Sequence, residues 1–234
     1  MESLNPYSSG TVSDYGSETR AEFIRKTYWH LAGAIGLFAL LETLLIQLGA
    51  GHTALMMLGA SKYGWLMVMG AFMAVGWIAD KWARSATSAP MQYAGLGLYV
   101  VAESLIFLPL IAMAPIVSGD PLVIGKAAVV TGALVLGLTT IAFTTRTDFS
   151  FLGGFIKLAS IVALGVIVAS FFLPITLGFW FSAAMVLLAG GCVLYQTSGV
   201  IHHYQPGQHV AAALGLFASV ALMFWYILRM FMRR

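Results

Sequence analysis

The chain reads as an all-α membrane protein, a bundle of seven transmembrane helices. Three observations predict this. Seven apolar stretches follow one another from Thr27 to the end, and about 20 apolar residues carry a helix across a hydrocarbon core about 30 Å thick. Of the 234 residues, 60% are hydrophobic and only 9% are charged, whereas a water-soluble chain carries about 25% charged residues. The stretches also lack the dyad alternation and the short length, about 9–11 residues, of barrel strands.

The elements follow in order. Residues 1–22 are rich in Ser, Gly, Thr and Tyr. They have neither the basic n-region nor the apolar h-region of a signal peptide, and too little apolar surface to order themselves. A flexible tail is expected there, with 23–234 as the transmembrane domain. The expected spans are 27–48, 65–83, 93–113, 123–143, 151–172, 176–198 and 209–232. Gly49–Gly64, Ser85–Gln92, Pro115–Pro121, Thr144–Ser150, Leu173–Ile175 and Gly199–Gln208 connect them. The alternative is six spans plus a re-entrant segment. Tryptophans fall mostly near span ends, where amphipathic rings sit at the headgroups. Small residues such as Gly95 and Gly190 let helix backbones approach closely.

The basic pI near 9.1 does not point to nucleic acid, because Lys and Arg lie mostly between spans, where they orient helices. With the N-terminus cytoplasmic, Arg20, Arg25, Lys26, Lys81, Arg84 and Arg146 lie inside. Lys62, Lys126, Arg233 and Arg234 then lie outside. The single cysteine, Cys192, excludes an intrachain disulfide and suits a packing role.

Function then rests on the polar residues at membrane depth. Glu103 lies near the middle of span three, where a carboxylate is costly unless it faces a cavity, finds a partner or is protonated. It is either a proton-responsive or cation-binding site, or a neutral carboxyl bonded to a neighbouring helix. Glu42 lies near the far end of span one and Arg229 near the same end of span seven; a structural ion pair is the favoured reading. Lys157, two turns into span five, has a stem long enough to snorkel. An approach to Glu103 is its alternative role. His202, His203 and His209 flank the last loop, and no local carboxylate or cysteine joins them. With His30 they read as interfacial residues, and no metal or cofactor is expected. There is no HExxH, GxSxG, Walker loop or dinucleotide fingerprint, so no catalytic residue is assigned and the protein is not expected to be an enzyme.

Several runs carry a resemblance. They are RAEFIRKTYWHLAGAIGLFALLE (Arg20–Glu42), QYAGLGLYVVAESLIFLPLI (Gln92–Ile111), FTTRTDFSFLGGF (Phe143–Phe155), LYQTSGVIHHY (Leu194–Tyr204) and ALGLFASVALMFWYILRMF (Ala213–Phe231). In order and spacing they resemble the Bax inhibitor-1 family, also called the transmembrane Bax inhibitor motif family, in its bacterial YccA-like branch. The resemblance implies a seven-helix bundle with the last helix near its centre. It also implies a pH-sensitive calcium leak gated by two aspartates, in a YDT-like motif of span six and an LYLD-like motif of span seven. Here those gate positions are Gln196, in LYQTS, and Ser219, in LFAS. Neither can titrate near neutral pH, and calcium prefers several hard oxygen ligands, usually including carboxylates. The expectation is an inner-membrane protein that leaks or transports calcium or another cation without the aspartate switch. The alternative is a non-transporting modulator that binds the membrane-bound AAA protease FtsH or acts in stress response.

Overall fold

Hydrocarbon offers no partner to a peptide group, so a chain this apolar must close its backbone hydrogen bonds within each segment. The computed structural model describes residues 11–14, 16–59, 63–85, 88–145 and 147–232. Among them lie eight α-helices and no strand: α1 Ser17–Gln47, α2 Ala50–Gly59, α3 Gly64–Ala83, α4 Ala89–Ser118, α5 Val123–Thr145, α6 Leu152–Phe172, α7 Phe179–His202 and α8 His209–Phe231. Seven of these, all but α2, are long and apolar enough to cross a membrane. Lys62, Arg146, Arg233 and Arg234, used above to orient the chain, lie outside the described residues, as does the tail before residue 11.

Four expectations need correction. The connector Gly49–Gly64 contains a helix, α2, too short to span; its Gly51 is buried against α4, beside Ala112. The third span does not stop before Pro115: α4 continues through Pro109 and Pro115 to Ser118. Prolines are tolerated in membrane helices because neighbouring groups take up the freed carbonyls. The α7 helix starts at Phe179 and runs on through His202, taking up the start of the expected polar loop. The tail is also shorter than 1–22. A 3-10 turn forms at Val12–Asp14, α1 begins at Ser17, and Val12 and Phe23 are both buried. Composition averaged over the tail hides the apolar anchor Val12.

The bundle is organised around α8, the most buried of the seven long helices. It packs against α1, α3, α4, α5 and α7, while α6 lies at the rim on α7. Outer faces stay apolar: Leu187 and Trp180 are largely exposed, as lipid-facing residues should be. Because lipid tails are as apolar as leucine, packing rather than water exclusion holds such helices together.

Ring contacts fix the register of three helices. His30 lies 4.9 Å from His209, and Phe38 lies 6.0 Å from Phe217. Tyr99 lies 6.1 Å from Phe217, and Phe107 lies 4.8 Å from Trp225. In each helix the second contact falls eight residues after the first. Helices α1, α4 and α8 therefore run parallel and in step.

Helices α3 and α4 approach closely at Gly95. A Cβ on Gly95 would sit 2.6 Å from both the Ala79 carbonyl oxygen and the Ala83 nitrogen, atoms that cannot move without moving α3. Gly95→Ala is expected to destabilise the bundle by about 1–3 kcal/mol, the usual cost of overpacking. Thermal unfolding in detergent measures this; an unchanged melting temperature would show that the two helices are not in contact there.

Candidate functional site

The candidate site is a polar junction where α7 and α4 meet α8. Its first side chain is Gln196 on α7. Its Oε1 accepts a hydrogen bond from the Tyr204 hydroxyl at 3.2 Å. Its amide lies against Gly215 of α8, where a Cβ would come within 2.8–2.9 Å of three Gln196 atoms. Glycine at 215 is thus what lets this amide reach α8. One turn further along α8, the Ser219 hydroxyl donates to the Gly215 carbonyl at 2.9 Å. The two expected gate positions, on different helices, both converge on Gly215.

Glu103 joins this junction by depth. It follows Tyr99 by one turn, and Tyr99 packs on Phe217. Counting the same turn along α8 from Phe217 places Glu103 level with Ala221, about half a turn beyond Ser219. The carboxyl is 6% exposed. Its polar neighbour is Tyr99.

Above this level the interior is closed by aromatic rings. Phe107 stands edge-on to Phe38 at 5.2 Å and to Trp225 at 4.8 Å, and is stacked on Phe224 at 5.9 Å. Trp65 of α3 stacks on Trp225 at 5.8 Å. Below the junction, Tyr204 is half-buried beside Phe23, with ring centroids 6.4 Å apart. Burial pushes its hydroxyl up, and the nearby Arg84 guanidinium only partly offsets this. Arg84 itself is held by Asp80 through two 2.9 Å contacts. Packed rings thus flank the junction on one side and Tyr204 on the other.

Of the other sequence-predicted residues, Arg229 and Lys157 lie apart from the junction, while Glu42 shares the depth of Glu103 from α1. Glu42 is 5% exposed, and both its carboxylate oxygens are buried without a hydrogen-bond partner. The ion pair with Arg229 is not formed, and the register explains why. Glu42 follows Phe38 by one turn and is level with Ala221, whereas Arg229 is two turns further along α8, about 12 Å away along the axis. Arg229 instead points its Nη2 at the Leu177 carbonyl, 3.5 Å away, and lies 5.8 Å from the Tyr226 ring centroid. Lys157 is exposed on α6, which does not pack on α4, so it does not reach Glu103.

Residue Asp148 is a polar centre that the sequence reading passed over. Its Oδ1 accepts from the Ser150 N–H at 2.9 Å and from the Ser198 hydroxyl at 3.2 Å, and His203 Nε2 lies 3.0 Å away. The Ser198 hydroxyl in turn accepts the Phe149 N–H at 2.9 Å. The α5–α6 connector is thereby fastened to the end of α7. His203 accordingly has a carboxylate partner, which local sequence does not show. His202 and His30 contact carbonyls one turn earlier in their own helices, and the His30 ring lies between Tyr93 and His209. Among the described residues no group of three His, Cys, Asp or Glu side chains gathers as a metal site would require.

Fold and site together define a polytopic helical membrane protein with a closed polar junction on its central helix. A family model described as inhibitor of apoptosis-promoting Bax1 matches residues 20–234, and the chain belongs to the Bax inhibitor-1 family. An uncharacterised protein of Pseudomonas aeruginosa is 37% identical over 95 residues, 40% of this chain and 42% of that protein. The modulator of FtsH protease YccA of Escherichia coli K12 is 36% identical over 78 residues, 33% of this chain and 35% of that protein. The inner membrane protein YccA of Escherichia coli O6:H1 matches to the same extent. The chain thus aligns with less than half the length of these relatives.

The Asp148 cluster has a pH signature. The Ser150 N–H, followed by His203, holds the Asp148 carboxyl well below the usual carboxylate range. A depressed carboxyl stabilises the fold above its unfolded value, about 3.9, and that contribution is lost as pH falls toward the folded value. Asp148→Asn should lower the melting temperature by a few degrees at neutral pH. The gap from wild type should close as pH is lowered below 4, by about the same range. A gap that stays constant with pH would refute a charge-dependent role.

Proposed function

We infer that this protein is a cation leak or transport protein of the bacterial inner membrane, with a cytoplasmic N-terminus, and that the described bundle is its closed state. The observation that carries this reading is the junction at Gly215. An amide (Gln196 of α7) at Gly215, a hydroxyl of α8 itself (Ser219) and a buried carboxyl (Glu103 of α4) level with Ala221 fall within about 9 Å along α8, with packed rings beyond them. An intramembrane ionisable residue facing a bundle interior is the usual mark of an ion or proton pathway. Calcium or another cation would move along this line once the Phe38, Phe107 and Trp225 rings part. Gln196 and Ser219 keep hydrogen bonds at the gate positions but carry no proton switch, so the buried acids level with Ala221, Glu103 and Glu42, are the remaining titratable groups. Two nearby like carboxylates cannot easily both ionise; with the aspartate pair absent, we assign the opening stimulus to Glu103, whose neighbour Tyr99 packs on Phe217 of α8.

Calcium flux into proteoliposomes, followed over a range of pH, tests this reading. Wild type should leak with a pH-dependent rate, and Glu103→Gln should remove the pH dependence while leaving the bundle folded. Equal fluxes from the two proteins at every pH would exclude Glu103 as the responsive group.

A second reading is a non-transporting modulator of a membrane-bound AAA protease such as FtsH. It is favoured by the similarity to the Escherichia coli modulator of FtsH protease YccA and by the absence of the aspartate pair. It needs only a stable bundle and a contact surface. Co-purification of the full chain with the protease, together with no flux at any pH, would favour it over the leak.

A further inference from the structure

The N-terminal segment before α1 is docked on the same loop that carries Tyr204. Val12 is fully buried, in one apolar cluster with Phe23, Val200 and Val210, so it is seated where the end of α7 meets the start of α8. Its backbone N–H donates to the Tyr204 carbonyl at 2.8 Å. The Ser13 hydroxyl donates to the His202 carbonyl at 3.2 Å, and Arg20 Nη2 donates to the Ser13 carbonyl at 2.8 Å. Tyr204 is thus gripped at both ends: its carbonyl by Val12 and its hydroxyl by Gln196. One residue joins the N-terminal segment to the junction at Gly215.

We propose that Thr11–Asp14 is a built-in latch that holds the junction closed by fixing Tyr204 against Gln196. The proposal rests on the leak reading and adds its regulation. The segment precedes α1, which begins only at Ser17, so it can release without unfolding that helix. Release would free the Tyr204 carbonyl and leave its ring to Phe23 and Arg84, loosening the hydroxyl that orients the Gln196 amide. A ligand, protein or modification acting on the first residues would act on the junction by this route. Coupling of this kind needs a two-state element that both sites bias, and the docked or undocked segment supplies it.

The test uses the full chain in a Cys192→Ala background, reconstituted in liposomes, with calcium as the probe ion. The double variant Ser13→Cys/His202→Cys should form an intramolecular disulfide on oxidation, with flux at or below the parent level and recovery on reduction. Deletion of residues 1–14 and the variant Val12→Asp should each raise flux about fivefold or more. Val12→Ile, which keeps the anchor, should match the parent. Elution as a single detergent-solubilised species shows that each variant is folded. Failure of the disulfide to form overturns the docking. A disulfide that forms while the parent leaks, and deletion leaves the flux unchanged, overturns the latch and spares the leak reading. A disulfide that forms while neither parent nor deletion conducts overturns both.

Discussion

Hydrocarbon supplies no hydrogen bonds, so each polar side chain at membrane depth must find its environment on another helix. In this bundle that environment is α8. Its small residues admit what its neighbours carry: Gly215 receives the Gln196 amide, and Ser219 closes its own bond one turn on. Glu103 and Glu42 stand level with Ala221 from two different helices. The register of α1, α4 and α8, set by pairs of aromatic rings, places the two acids level with each other and about 9 Å along α8 from Gly215.

Where the family resemblance implies two aspartates, Gln196 and Ser219 both border Gly215. Their bonds run to Tyr204 and to a backbone carbonyl. Neutral hydrogen bonds hold this part of the junction. Closure then depends on the groups that position Gln196, and the chain of contacts from Tyr204 to Val12 carries that dependence to the N-terminal segment.

Much of the fold was legible in the sequence because the signal is long-range and simple: runs of apolar residues at the length a bilayer demands. Contacts set by tertiary register were not legible. Glu42 and Arg229 share an end of the bundle by residue counting, yet the ring pairs place them two turns apart. Asp148 meets His203 and Ser198 across some fifty residues of chain, although the Asp-Phe-Ser run itself signals a local turn in which the carboxylate caps a backbone N–H. The helix α2 was hidden because ten residues, AGHTALMMLG, are too few for a span and look like a loop. Val12 was hidden inside a polar composition. Gln196 and Ser219 were singled out by resemblance alone, and both border Gly215, which no motif singles out.

The central claim is that the Gly215 junction is the gate of a cation pathway that works without the aspartate pair. The most direct measurement is calcium flux in proteoliposomes against pH for the double variant Gln196→Asp/Ser219→Asp beside wild type. The account predicts that two carboxyls restored at this junction add a flux with its own pH midpoint, beyond anything wild type shows. A folded double variant whose flux equals that of wild type at every pH would contradict it, because the junction would then lie on no pathway.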